Sequence, residues 1–127
     1  MAWSVLVVDD EPMTRTLLQL MLASADYEVI EAGDGQEALA LIEQEVPHIL
    51  ILDVMMPHID GLTVCRRLRQ NEATKQLPII LLSAKTSPEA VREGLIAGAD
   101  RYLTKPVSRK DLLENLEALR TTLSIGS

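Results

Sequence analysis

Residues 48–53 read HILILD: four aliphatic side chains, Ile49 to Leu52, that break abruptly on Asp53. Such a run, with Pro47 before it and Met55-Met56-Pro57 after it, reads as a strand buried on both faces. The construction recurs outward along the chain. Val5 to Val8 ends on Asp9 and Asp10, Ile79 to Leu82 on Ser83, and Arg101 to Thr104 on Lys105. Tyr27 to Ala32 alternates, as a flanking strand does. Buried parallel strands place ligand sites at their carboxyl ends. Three carboxylates, a hydroxyl and an ammonium gathered there make a site for a divalent cation and a phosphoryl group.

The segments between these runs read as helices. Pro12 opens the first, which is expected to reach about Ala25 with Leu17, Leu20, Met21 and Ser24 on one buried face. Gly33-Asp34-Gly35 turns into a short helix, Gln36 to Gln44, carrying Ala38, Leu39 and Ile42. Asp60 caps a helix from Gly61 to about Gln70, with Leu62, Cys65 and Leu68 on one face. Pro88 starts a helix that ends at Gly98. Ser108 caps the last, which reaches about Leu123 with Leu112, Leu116 and Leu119 inward. Five strands alternating with five helices imply right-handed crossovers and a doubly wound, parallel α/β sheet. One domain is expected over residues 1–124, with 125–127 as a tail or the start of a linker.

Composition agrees. A chain of 127 residues with 47% apolar content can bury a core. Its formal charge of −7 argues against non-specific nucleic-acid binding. A single cysteine excludes an internal disulfide, and no apolar run is long enough to span a membrane. The first residues, MAWSVLVVDD, lack a basic region before their apolar run, so they read as a strand and not a signal peptide. The expected location is the cytoplasm.

Each loaded residue has an ordinary role to weigh against a chemical one. Asp9 and Asp10 alone could serve the start of the following helix, but Glu11 makes a third adjacent acid that a nearby cation would have to balance. Asp53 has no helix directly after it, and a carboxylate at the end of a central strand is desolvated unless paired. Three carboxylates and Lys105 sum to −2, which one Mg²⁺ neutralises with hard oxygen ligands, Mn²⁺ being a substitute. The bond Lys105–Pro106 is a candidate for the cis isomer. Cys65 reads as core, His48 and His58 as surface, and Arg66, Arg67 and Arg69 as a solvated helix face.

The segments VLVVDDEP, ILILDVMMPHIDG, IILLSA and YLTKP, in this order and spacing, resemble the receiver domain of bacterial two-component response regulators. The resemblance runs from Val5 to the last helix. It implies a flavodoxin-like sheet in the order 2-1-3-4-5. It also implies that Asp53 is the phosphoacceptor, Asp10 a direct metal ligand, Asp9 a ligand through water, and Met55 a ligand through its backbone carbonyl. Ser83 matches the switch hydroxyl, Tyr102 the aromatic switch, and Lys105 the lysine before a cis proline. Met55 and Lys85, two residues beyond acceptor and switch hydroxyl, stand where the family tunes the lifetime of the phosphoryl group.

A member of this family takes its phosphoryl group from a histidine kinase, a phosphotransfer protein or a small acyl phosphate. It then signals through the fourth helix, fifth strand and fifth helix to a partner or an attached output domain, with phosphorylation-dependent dimerisation as one form of output. That makes it a signalling phosphoacceptor that catalyses its own phosphotransfer and slow dephosphorylation. Two other classes compete. A flavodoxin-like electron carrier needs a glycine- and hydroxyl-rich phosphate loop and stacking aromatics, where this chain has DDEP and only Trp3, Tyr27 and Tyr102. An aspartate-nucleophile phosphatase normally has a second acid two residues after the nucleophile, where this chain has Met55.

Overall fold

Alternation within the strands sorts the core into two layers. In the computed structural model, which describes residues 2–126, the strands are β1 (Ser4–Val8), β2 (Glu28–Ala32), β3 (Ile49–Asp53), β4 (Ile79–Ser83) and β5 (Arg101–Thr104). All pair in parallel, in the order β2-β1-β3-β4-β5. Five helices connect and follow them: α1 (Pro12–Ala23), α2 (Gly35–Gln44), α3 (Gly61–Arg69), α4 (Pro88–Ala97) and α5 (Arg109–Gly126). Leu6, Val8, Leu50, Leu52, Ile79 and Leu81 face one way, into a cluster with residues of α2, α3 and α4. Val5, Val7, Ile49, Ile51, Ile80 and Leu82 face the other way, packing on Leu18 and Leu22 of α1 and Leu112, Leu116 and Leu119 of α5. Because a strand's side-chain period is two, both faces of β1, β3 and β4 must be apolar, which gives their unbroken aliphatic runs.

Local signals set the helix starts. Pro12 and Pro88 lie in first turns, where a missing N–H costs no helical bond. Asp34, Asp60, Ser87 and Ser108 each accept a backbone N–H three residues on, at 2.8 to 3.2 Å. The last helix runs to Gly126, past the expected end near Leu123, and Ser127 lies outside the described residues.

Two readings of the sequence are corrected. On α1 the buried residues are Leu18 and Leu22, while Leu17 and Leu20 are 55% and 59% exposed and Ser24 is also exposed. The run LLQLML is apolar nearly all round its helix, so spacing alone does not fix which face turns inward. Arg69 is not a solvated residue like Arg66 and Arg67. It donates to the carbonyls of Gly98 (2.9 Å) and Thr74 (3.2 Å) and to the Asp100 carboxylate (3.1 Å), tying α3 to the end of α4. Asp100 in turn accepts the Ile79 N–H at 2.8 Å, at the start of β4. His48 and His58 are exposed as expected, yet His48 also accepts the Ser4 N–H at 2.8 Å and lies against the Trp3 ring.

Arg69→Met keeps the apolar stem and deletes three donors. It should destabilise the domain by about 2 kcal/mol in urea denaturation, the range for hydrogen bonds to charged groups. An unchanged midpoint would mean that Arg69 is only a surface cation.

Candidate functional site

The register aligns the ends of the strands. Val8 pairs with Leu52, Asp53 with Leu82, and Ser83 with Thr104. Asp9, Asp53, Ser83 and Lys105 therefore emerge along one carboxyl edge of the sheet. Asp9, Asp53 and Ser83 are buried, at 1%, 4% and 1% exposure, whereas Asp10 is exposed at the mouth.

One ammonium links two of the acids. Lys105 Nζ lies 2.7 Å from Asp9 Oδ2 and 3.1 Å from Asp53 Oδ1. The Lys105–Pro106 peptide is cis, as the sequence suggested. Asp9 Oδ1 accepts the Glu11 N–H at 2.9 Å, and Asp53 Oδ1 accepts the Met55 N–H at 3.3 Å. Asp9, Asp10 and Asp53 each present an oxygen within 4.8 Å of the others, a hard and anionic donor set of the kind Mg²⁺ takes. Burial, and secondarily the charge of Asp9, raise the Asp53 pKa above its ordinary 3.8, against the opposing pull of Lys105. Burial also works against the Lys105 charge, but its bonds and attraction to Asp9 and Asp53 prevail and hold its pKa above 10.5.

Glycine builds part of the wall. Gly61, read from sequence only as the start of a helix, presses on the backbone of the acid. A β-carbon there would collide with the Asp53 carbonyl and lie 2.9 Å from the Val54 α-carbon.

The switch candidates meet on one residue, Lys85. Ser83 Oγ accepts the Lys85 N–H at 3.1 Å, and the Tyr102 hydroxyl donates to the Lys85 carbonyl at 2.9 Å. Tyr102 is already half-buried, its ring lying where a β-carbon on Gly94 of α4 would approach to 2.8 Å. The side chains of Met55 and Lys85 are exposed beside this edge. Asp9, Asp10, Asp53, Ser83 and Lys105 thus come together at one edge, while Tyr102 sits within β5 and reaches Lys85 through its hydroxyl. The sequence reading missed Arg15, whose Nη1 donates at 2.6 Å to the Asp9 carbonyl. Its position on α1 carries no sequence signal, because the contact depends on the side chain folding back over the helix start.

The raised Asp53 pKa has a consequence for stability. Between 3.8 and that raised value the folded state binds more protons than the unfolded chain, so stability falls as pH rises through the window and stays lowered at neutral pH. Asp53→Asn should therefore raise the urea midpoint at pH 7 in a chelator, and the advantage should disappear below pH 3.8 or shrink when Mg²⁺ is added. A metal-free wild type more stable than the variant at pH 7 would contradict the electrostatics.

Residues 5–117 match the family described as "Response regulator receiver domain". The chain is 44% identical over 115 residues to the alkaline phosphatase synthesis transcriptional regulatory protein PhoP of Bacillus subtilis, covering 91% of this chain and 47% of that protein. It is 46% identical over 125 residues to response regulator MprA of Mycolicibacterium vanbaalenii, covering 97% and 53%. It spans about half the length of these curated relatives. The structure of chemotaxis protein CheY4 of Vibrio cholerae superposes with a TM-score of 0.88 at 36% identity, covering 94% of this chain and 99% of that one. With the fold, the acidic edge and the match over residues 5–117 in agreement, the chain belongs to the receiver domains of two-component response regulators, a family phosphorylated on aspartate.

Proposed function

We propose that Asp53 is the phosphoryl acceptor of this receiver, with Lys105 and Ser83 as its catalytic partners and Asp9, Asp10, Asp53 and the Met55 carbonyl as its metal ligands. One observation carries the reading: a single ammonium is shared between Asp9 and Asp53, in an acidic cluster it does not neutralise. Mg²⁺, or Mn²⁺ in its stead, supplies charge neutralisation for phosphoryl oxygens when bound. Asp53 attacks phosphorus in line, and the bond to the donor's histidine nitrogen, or to the oxygen of a small acyl phosphate, breaks as the Asp53 O–P bond forms. Lys105 turns its ammonium to the transferred oxygens, since phosphoryl transfer depends on positioning and charge more than on acid–base help. Ser83 accepts from Lys85 N–H, which leaves its own hydrogen to donate to the phosphoryl group.

Switching follows from the two contacts of Lys85. A phosphoryl group that holds Ser83 acts on the partner of the Lys85 N–H, and the carbonyl of the same residue holds Tyr102, so the mark on Asp53 biases the ring's position against α4. That changes the surface of α4, β5 and α5, where Leu95 and Ile96 are 47% and 77% exposed, and where a partner protein, an output domain or a second receiver would read the state. The phosphodonor is a sensor histidine kinase or phosphotransfer protein, and Met13, Leu17 and Leu20 of α1 offer it exposed apolar surface. Among the described residues no helix is long and apolar enough to cross a membrane, which fits a cytoplasmic role. The two competing classes are not favoured, because residues 5–117 match receiver domains.

Treatment with Mg²⁺ and acetyl phosphate should add one phosphate by intact mass, and none to Asp53→Asn. Lys105→Ala should still bind Mg²⁺ but accept phosphate about 100-fold more slowly, the scale of losing one preorganised charge contact. Phosphate on another residue of Asp53→Asn would refute the assignment. Lifetime provides a second check. Met55 offers no group to orient water and Lys85 is a cation, so the phosphorylated domain should lose its mark slowly, and faster in Met55→Asn. Equal lifetimes in Met55→Asn, Lys85→Ala and wild type would remove both residues from that role.

A further inference from the structure

The carbonyl of Asp9 belongs to the peptide bond that joins Asp9 to Asp10, so whatever holds that oxygen sets the plane from which both acids project. Arg15 holds it. From the first turns of α1 its side chain folds back to donate from Nη1 to Asp9 O at 2.6 Å, while Nε donates to Glu31 Oε1 of β2 at 3.3 Å. Its side chain is only 20% exposed, and Nη1 lies 3.5 Å from where a β-carbon on Gly33 would stand. Asp9 is fixed independently through its carboxylate, by the Glu11 N–H and by Lys105. Asp10 is exposed at the mouth, and its direction depends on the backbone that carries it.

We propose that Arg15 is a positioning residue for the metal site: it clamps the Asp9–Asp10 peptide to β2 and thereby aims the Asp10 carboxylate. This rests on the reading that Asp9 and Asp10 hold the cation. Charge and geometry make opposite demands on it. A guanidinium beside an acidic cluster repels Mg²⁺, so its charge alone would make binding tighter once removed. Orientation of ligands by hydrogen-bonded neighbours acts the other way, with losses of 10- to 100-fold in affinity when such neighbours are removed. The sign of the change therefore separates the two.

The test is Mg²⁺ titration of the full chain, followed by the Met55 and Asp53 amide signals in NMR, for wild type, Arg15→Met, Arg15→Lys, Glu31→Gln and Asp10→Asn. Arg15→Met should bind Mg²⁺ about 10-fold more weakly. Arg15→Lys, with its charge but no fork, should fall between, and Glu31→Gln should weaken binding least. In phosphorylation by acetyl phosphate, the half-saturating Mg²⁺ concentration should rise in Arg15→Met while the rate at saturating Mg²⁺ recovers. A residue that merely supports the fold would lower stability without moving that half-point. Unchanged or tighter binding in Arg15→Met, with Asp10→Asn impaired, overturns the proposal alone. Undiminished binding in Asp10→Asn overturns the metal assignment beneath it. If Arg15→Met does not fold, wild-type affinity in both Arg15→Lys and Glu31→Gln is the overturning result.

Discussion

The ammonium of Lys105, wedged between Asp9 and Asp53 at 2.7 and 3.1 Å, is the contact around which this molecule is organised. Two nearly inaccessible carboxylates and a third at the rim are placed together at the end of an aliphatic sheet, and among the described residues Lys105 is the cation that pairs with their oxygens. Burying one partner of such a set without the others would leave an uncompensated charge in a poor dielectric. The arrangement is therefore stable enough to fold yet still deficient in positive charge. That deficit is what a divalent metal can fill.

The fold makes the deficit possible. A doubly wound sheet sends β1, β3, β4 and β5 in the same direction, so the residues that follow them meet at one edge although they lie far apart in sequence. Helices cover both faces of the sheet beneath that edge. The cost of crowding is visible at Gly61, where any side chain would strike the Asp53 backbone. One residue, Lys85, links the Ser83 hydroxyl beside the acids, through its N–H, to the Tyr102 hydroxyl, through its carbonyl.

Much of this was legible in the chain because strands buried on both faces leave a blunt signature, an aliphatic run cut off by a polar residue. HILILD and its three counterparts located the edge, and Asp60 and Ser108 marked helix starts through side-chain caps that the structure contains. The orientation of α1 was not legible, since Leu17, Leu18, Leu20, Met21 and Leu22 offer apolar surface in most directions and only packing selects Leu18 and Leu22. Arg69 resembled its neighbours Arg66 and Arg67 because composition does not report a guanidinium's acceptors. Arg15 was invisible for the same reason.

The charge deficit can be measured at the residue that bears it. Carbon-13 NMR of the Asp53 carboxyl, titrated with acid in the metal-free domain and again with Mg²⁺, reads its protonation directly. The account predicts a titration midpoint above 3.8 without metal and a clear downward displacement with Mg²⁺. A midpoint at or below 3.8 in the metal-free domain, unmoved by Mg²⁺, would contradict it.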